Sequence, residues 1–236
     1  MAAPSSVPPV DAAALGTVFV LRHGRSLANE AGIVVSSLAN GVLPAYRLAP
    51  EGVRQAAAAG QQLLAWLASE ALPASAVQVV ASPFSRTIDT AETAAAQLGL
   101  PAGAVRQDAA LRERFFGDAH ELQPHRRAQR RKTPCSVPCL TPPLSGRSAY
   151  DAIWRDDAAD VCSVPGGNGE SVHAVALRLS ALLRGLAAEP HEPRRVLLLV
   201  AHGDTLQILQ ALCKAPGELA THRRFSMETG ELRRVC

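Results

Sequence analysis

The chain has 236 residues, 47% of them apolar and 19% charged, and its 24 Lys and Arg against 21 Asp and Glu leave a net charge of +3. That length suits one sizeable α/β core, and the composition excludes a wholly disordered or collagen-like chain. The near-balance of charge gives no reason to expect a nucleic-acid or membrane partner. The longest aliphatic run, Val196–Ala201, is far shorter than the roughly 18 residues a membrane span needs.

Residues 1–16 are rich in Ala, Pro and Ser and lack a basic residue, unlike a secretory signal or an Arg-rich transit peptide. They are expected to form a disordered tail ahead of one domain over 17–236. The five cysteines (Cys135, Cys139, Cys162, Cys213 and Cys236) are odd in number and scattered. That pattern suits reduced thiols in a cytoplasmic compartment, with organelle targeting left open. No second ligand pair follows Cys135 and Cys139 at zinc-site spacing, so no metal is expected there.

The first buried-strand signal, over 17–21, stops at Arg22, His23 and Gly24. A helical face of Val53, Ala57, Gly60, Leu64 and Leu67 follows. Val77–Ala81 then reads as a strand stopping at Ser82 and Pro83. The next helix carries Ile88, Ala91, Ala95 and Leu98 on one face. From about 118 to 165 the pattern lapses, and the stretch reads as a lid or insertion. It holds a basic cluster (Arg126, Arg127, Arg130, Arg131, Lys132), a Pro-rich run, and a short amphipathic piece at Tyr150, Ile153 and Trp154. A third helix, on Val172, Val175, Leu179, Leu182 and Leu186, leads to the strand Val196–Ala201, which stops at His202 and Gly203. Helices alternating with aliphatic strands predict a mainly parallel sheet covered on both faces. Ligands of such sheets sit at the carboxyl ends of the strands, where the three polar strand ends are expected to converge.

Each constellation is ambiguous alone. His23 could be a structural histidine, but on a turn leaving a strand, between Arg22 and Arg25, it lies where a phosphate would find guanidinium forks. Arg86 near a helix N-terminus opposes the helix dipole, which makes sense if an anion docks there. His202 repeats the strand-then-His-Gly pattern of His23. Glu113, flanked by Arg112 and Arg114, reads on charge pattern alone as part of a surface ion-pair cluster.

In order, the chain carries Leu-Arg-His-Gly with Ser26 and Asn29 following, Ser-Pro-x-x-Arg-Thr from Ser82, and Leu-Arg-Glu-x-x-x-Gly from Leu111. Pro-Gly-Gly-Asn-Gly-Glu-Ser from Pro165 and Val-Ala-His-Gly-Asp from Val200 complete the set. This series resembles the histidine phosphatase superfamily, in its phosphoglycerate mutase-like branch. The resemblance implies a three-layer α/β sandwich with a mixed, mainly parallel sheet. It implies His23 as the nucleophile that becomes phosphohistidine, Arg22 and Arg86 as phosphate-binding arginines, His202 as the second pocket histidine and Glu113 as the acid for the leaving group. Ser26, Asn29 and Gly203 fall where substrate would be bound. Arg25 stands where many members have Glu or Gln, and Ala28 where the glycolytic mutases have Trp, which weakens a mutase assignment.

The chemistry is consistent with these roles. Nearby Arg22 and Arg86 should hold His23 unprotonated and able to attack. Glu113 must instead hold a proton, so Arg112 and Arg114 are expected to point away and a bound phosphate to raise its pKa. No Walker loop, carboxylate metal cluster or dinucleotide fingerprint is present, so the expected reaction uses no cofactor and no metal. The leading expectation is hydrolysis of a small phosphorylated metabolite, with a phosphoglycerate mutase second. An alternative of another class is a basic interaction module built on 125–132. Oligomeric state, with a homodimer as one option, is left open.

Overall fold

Five strands form one mixed sheet: β1 (Thr17–Arg22), β2 (Val77–Ala81), β3 (Val105–Gln107), β4 (Val196–Ala201) and β5 (Leu232–Arg234), in the order β3-β2-β4-β1-β5. Four are mutually parallel, and only β5 runs antiparallel, against β1. The structure, a computed structural model, describes residues 6–124, 149–192, 194–215 and 217–236. The basic cluster of 125–132, Cys135, Cys139 and the Pro-rich run lie outside the described residues.

The strand β4 is central and buried at all six positions, which explains its unbroken aliphatic sequence. Alternation then sorts side chains between two cores. Val18, Val20, Leu197 and Leu199 face one side, while Phe19, Leu21, Leu198 and Val200 face the other. The first side is covered by α6 (Val172–Ala188) and α7 (Gly203–Lys214), and the second by α3 (Pro50–Ser69) and α4 (Ser85–Gln97). The sandwich therefore has the three layers expected. Three shorter helices, α1 (Leu27–Ala31), α2 (Leu38–Gly41) and α5 (Ala149–Ala159), lie among the connections.

Two sequence expectations need correction. The buried face of α3 is Gly52, Ala56, Ala59, Gly60, Leu63 and Leu67, while Val53 and Leu64 are 44% and 42% exposed. Backbone proximity decides this rather than hydrophobicity. A Cβ on Gly60 would lie 2.7 Å from the carbonyl oxygen of Ala94, so α3 and α4 meet through their smallest residues. The second correction concerns the tail, which from residue 6 onward is packed. Val7 and Val10 lie against the α6–α7 core, Leu15 is fully buried, and Ser180 Oγ donates to the carbonyl of Pro8 at 2.6 Å. An Ala/Pro/Ser composition hid a few apolar anchors that suffice to hold an irregular segment in place.

Candidate active site

The parallel strands β1, β4 and β2 are neighbours, so their carboxyl ends emerge side by side. The ladder continues past β1 and β2, since His23 N–H donates to Ala201 at 3.0 Å and Ser82 N–H to Val200 at 3.0 Å. His23, Ser82 and His202 are thereby brought together although 179 residues separate the two histidines (202 − 23). Their rings meet edge-on with centroids 5.3 Å apart.

The turn after His23 needs glycine for proximity. A Cβ on Gly24 would sit 2.4 Å from the carbonyl oxygen of Gly52, at the start of α3, and one on Gly52 would sit 2.1 Å from that of Arg25. Two facing glycines let this loop lie directly on a helix. The Gly24 N–H donates to Thr90 Oγ at 3.1 Å, which in turn donates to the carbonyl of Arg86, tying the loop to α4.

Hydrogen bonding settles both histidine tautomers. His23 Nδ1 lies 2.8 Å from the carbonyl of Gly24, which can only accept, so Nδ1 carries the proton and Nε2 presents a lone pair. Arg86 Nε–H points at that lone pair from 3.3 Å. His202 has the opposite arrangement: its Nδ1 accepts from Arg86 Nη2 at 3.1 Å, so its Nε2–H donates to Ser82 Oγ at 2.8 Å. Both rings are held well below their ordinary pKa, first by burial and then by the charge of Arg86. For His23 the charge of Arg22 adds to this. The arginines thus keep His23 neutral as expected, with burial the larger cause.

Arg86 sits in the first turn of α4, where its charge opposes the helix dipole. Its Nη2 also donates to Val35 at 3.0 Å, but Nη1 is buried without a partner. Arg22 is similar: Nη1 donates to Met227 at 2.5 Å and Nε is buried without a partner. Buried donors are ordinarily satisfied, so two orphaned guanidinium N–H groups in one cavity wall call for an anionic acceptor.

Glu113 faces the same cavity. Its Oε1 accepts from the Arg114 N–H at 2.9 Å and lies 3.3 Å from Thr205 Oγ, whose own proton goes to the Arg112 carbonyl at 2.8 Å. Its carboxyl is pushed up to about 7, by burial first and by the charge of Asp204 second, against the opposing pull of Arg86 and Arg22. The protein itself therefore raises this acid before any phosphate arrives. The flanking guanidinium groups pair elsewhere: Arg112 with Glu170, and Arg114 with Asp157 at 2.6 and 2.7 Å and Asp204 at 3.4 Å. The surface-cluster reading fails for Arg114, which is 0% exposed. Asp157, Asp204 and His222 bring ligand atoms within 4.8 Å of one another, but Arg114 already supplies a cation to both carboxylates.

Ser26 and Asn29 line the cavity while forming the capping box of α1, with Asn29 N–H donating to Ser26 Oγ and Ser26 N–H to Asn29 Oδ1. Gly203 opens α7, and a Cβ there would rest 3.5 Å from Arg22 Cζ, an ordinary contact. The cavity measures about 1040 Å³ and extends well beyond these groups. Its wall also holds Tyr150 and Trp154 of α5 together with Gln207 and Arg223. Arg223 and the linking role of Asp204 were missed from sequence, because a basic tripeptide of His222, Arg223 and Arg224 has no periodic or motif signal. The free thiols among the described residues, Cys162, Cys213 and Cys236, are absent from the cavity lining.

The family model described as histidine phosphatase superfamily (branch 1) matches residues 18–236. No curated protein sequence matches. Among solved structures, a mycobacterial protein titled hydrolase 1 is 26% identical, covering 93% of this chain and 88% of that one, at a TM-score of 0.65. The native structure of a mycobacterial glucosyl-3-phosphoglycerate phosphatase is 26% identical over 93% and 89%, at a TM-score of 0.64. A putative α-ribazole-5′-P phosphatase of Escherichia coli K-12 shares the fold at 23% identity over 93% and 89%, with a TM-score of 0.63. No helix among the described residues is long and apolar enough to cross a membrane.

Proposed function

Because the chain belongs to the histidine phosphatase superfamily, we propose that it hydrolyses small phosphate monoesters through a phosphohistidine at His23. The observation that carries this reading is the tautomer of His23: the Gly24 carbonyl accepts from Nδ1–H, so Nε2 keeps its lone pair, beside Arg86 Nε–H, on a residue that lines a cavity together with two arginines that each carry an unpartnered donor. In the first step His23 Nε2 attacks phosphorus and the bond to the alcohol oxygen breaks. The Glu113 proton goes to that oxygen. Arg22 and Arg86 stabilise charge on the transferring phosphoryl oxygens, where catalysis is mostly positioning and electrostatics. In the second step water attacks phosphorus, Glu113 takes its proton, and the P–N bond breaks to return neutral His23 and inorganic phosphate.

His202, donating to Ser82 and accepting from Arg86, holds the Arg86 fork in place from behind. No metal or organic cofactor is needed for either step. The mycobacterial glucosyl-3-phosphoglycerate phosphatase, named for the ester it hydrolyses, supports hydrolysis over a mutase reaction. Ala28, where a mutase would place Trp, points the same way. The free thiols suit a cytoplasmic setting.

The test is hydrolysis of p-nitrophenyl phosphate and of small sugar phosphates by wild type and His23→Ala. A drop of about 10³-fold or more in the variant, with acid-labile phosphate trapped on wild type alone, is expected. Equal, slow release by both proteins would end this reading. Faster interconversion of 3- and 2-phosphoglycerate than phosphate release would favour the mutase.

A further inference from the structure

We propose that Arg223, held against the face of Trp154, binds a second anionic group of the substrate, making phosphate esters that also carry a carboxylate or second phosphoryl group the preferred class. This inference rests on the phosphatase reading and adds a specificity determinant to it.

The cavity is far larger than a phosphate requires, about 1040 Å³, and both Arg22 and Arg223 line it. Arg223 Cζ lies 3.4 Å from the Trp154 ring centroid, and Trp154 is stacked on Tyr150 at 5.2 Å with planes 11° apart. The guanidinium lies over the indole, and the stack on Tyr150 fixes the orientation of that ring. The aromatic pair is therefore already engaged by a cation. It serves as a backing, anchored at its other end by the edge-on contact of Tyr150 with Phe116 at 5.0 Å, and it presents a cation.

Arg223 has one neutral and one shared charged hydrogen-bond partner. Nη1 reaches Gln207 at 2.8 Å, which is neutral, and Asp204 at a long 3.4 Å. Asp204 is shared with Arg114 at the same distance. Burial lowers the Arg223 pKa against the pull of Asp204, and the nearby charge of Arg22 adds to the lowering while Asp157 and Asp151 oppose it. Glu228 also lines the cavity and opposes indiscriminate anion binding. The binding groups thus fall into two sets, with the reacting phosphoryl at Arg22 and Arg86 and the second anion at Arg223.

The experiment compares matched pairs, 3-phosphoglycerate with glycerol 3-phosphate and fructose 1,6-bisphosphate with fructose 6-phosphate. The readout is the ratio of kcat/KM within each pair for wild type, Arg223→Gln and Arg223→Lys. Wild type should favour the doubly anionic member of at least one pair by about tenfold or more. Arg223→Gln should abolish that preference mainly through KM, and Arg223→Lys should retain part of it. The pair that responds identifies carboxylate or phosphoryl as the second group. A preference that survives in Arg223→Gln, or an equal loss on both members of each pair, would overturn the proposal in favour of a structural role. Failure of the phosphatase reading is separately visible as an absence of His23-dependent p-nitrophenyl phosphate hydrolysis.

Discussion

Replacing Glu113 by Gln should make the protein more stable at neutral and alkaline pH while removing the acid proposed to protonate the leaving group. In the unfolded chain this carboxyl titrates near 4.5, whereas in the folded protein it is raised to about 7 by burial and by Asp204. The folded state therefore holds a proton that the unfolded state releases between those values, and stability falls as pH rises through that window. Below pH 4.5 the group imposes no penalty; above about 7 the penalty is complete. At about 1.4 kcal/mol per pH unit, the interval amounts to about 3.5 kcal/mol. Gln preserves the acceptor for the Arg114 N–H, but must house an amide NH₂, a cost of about 1 kcal/mol. Net stabilisation of about 2.5 kcal/mol is expected at pH 8, shrinking by about as much at pH 5. Urea denaturation of both proteins at pH 5, 6, 7 and 8 measures this directly. A difference that does not change with pH, or that grows on acidification, would refute the placement of a protonated acid at this site. The same value predicts that wild-type kcat/KM for esters with poor leaving groups declines above about pH 7, with no loss from His23 protonation near 6.5.

Two further outcomes follow from packing and pairing. Gly24→Ala should cost about 1–3 kcal/mol, since its Cβ would meet the Gly52 backbone at 2.4 Å, whereas Gly203→Ala, with its nearest contact at 3.5 Å, should stay within about 0.5 kcal/mol. Thermal denaturation of the two variants compares them, and equal losses would show that the Gly24–Gly52 approach is unimportant. Arg114→Met should destabilise by about 3–5 kcal/mol, because it strands the buried carboxylates of Asp157 and Asp204. A variant with unchanged urea midpoint at pH 7 would mean that this network carries no stability.

The candidate site was legible where the chain writes it locally. A buried parallel strand must be aliphatic, and its carboxyl end is where polar residues can appear. His23, Arg86 and His202 therefore stand out as abrupt stops after apolar runs or as charges at odds with a helix dipole. The regular face of α6 was legible for the same reason, its five predicted residues all being buried. The face of α3 was not, because close approach to α4 selects glycine and alanine, and hydrophobic periodicity ranks Val53 and Leu64 above them.

By itself, then, the sequence determined the α/β class, the order of the strands that end in reactive groups, and the residue types able to move a phosphoryl group. These depend on hydrophobic period and on neighbours within a few positions. Only the tertiary structure decided which nitrogen of each histidine is free, how far Glu113 is raised, and that Arg114 is buried between Asp157 and Asp204. It alone placed Arg223 against Trp154 in the wall of the cavity that Arg22 and Arg86 also line. Tautomer, pKa and cavity shape depend on burial and on partners up to 205 positions away, as in the bond from Arg22 to Met227, and no local pattern in the chain encodes such distances.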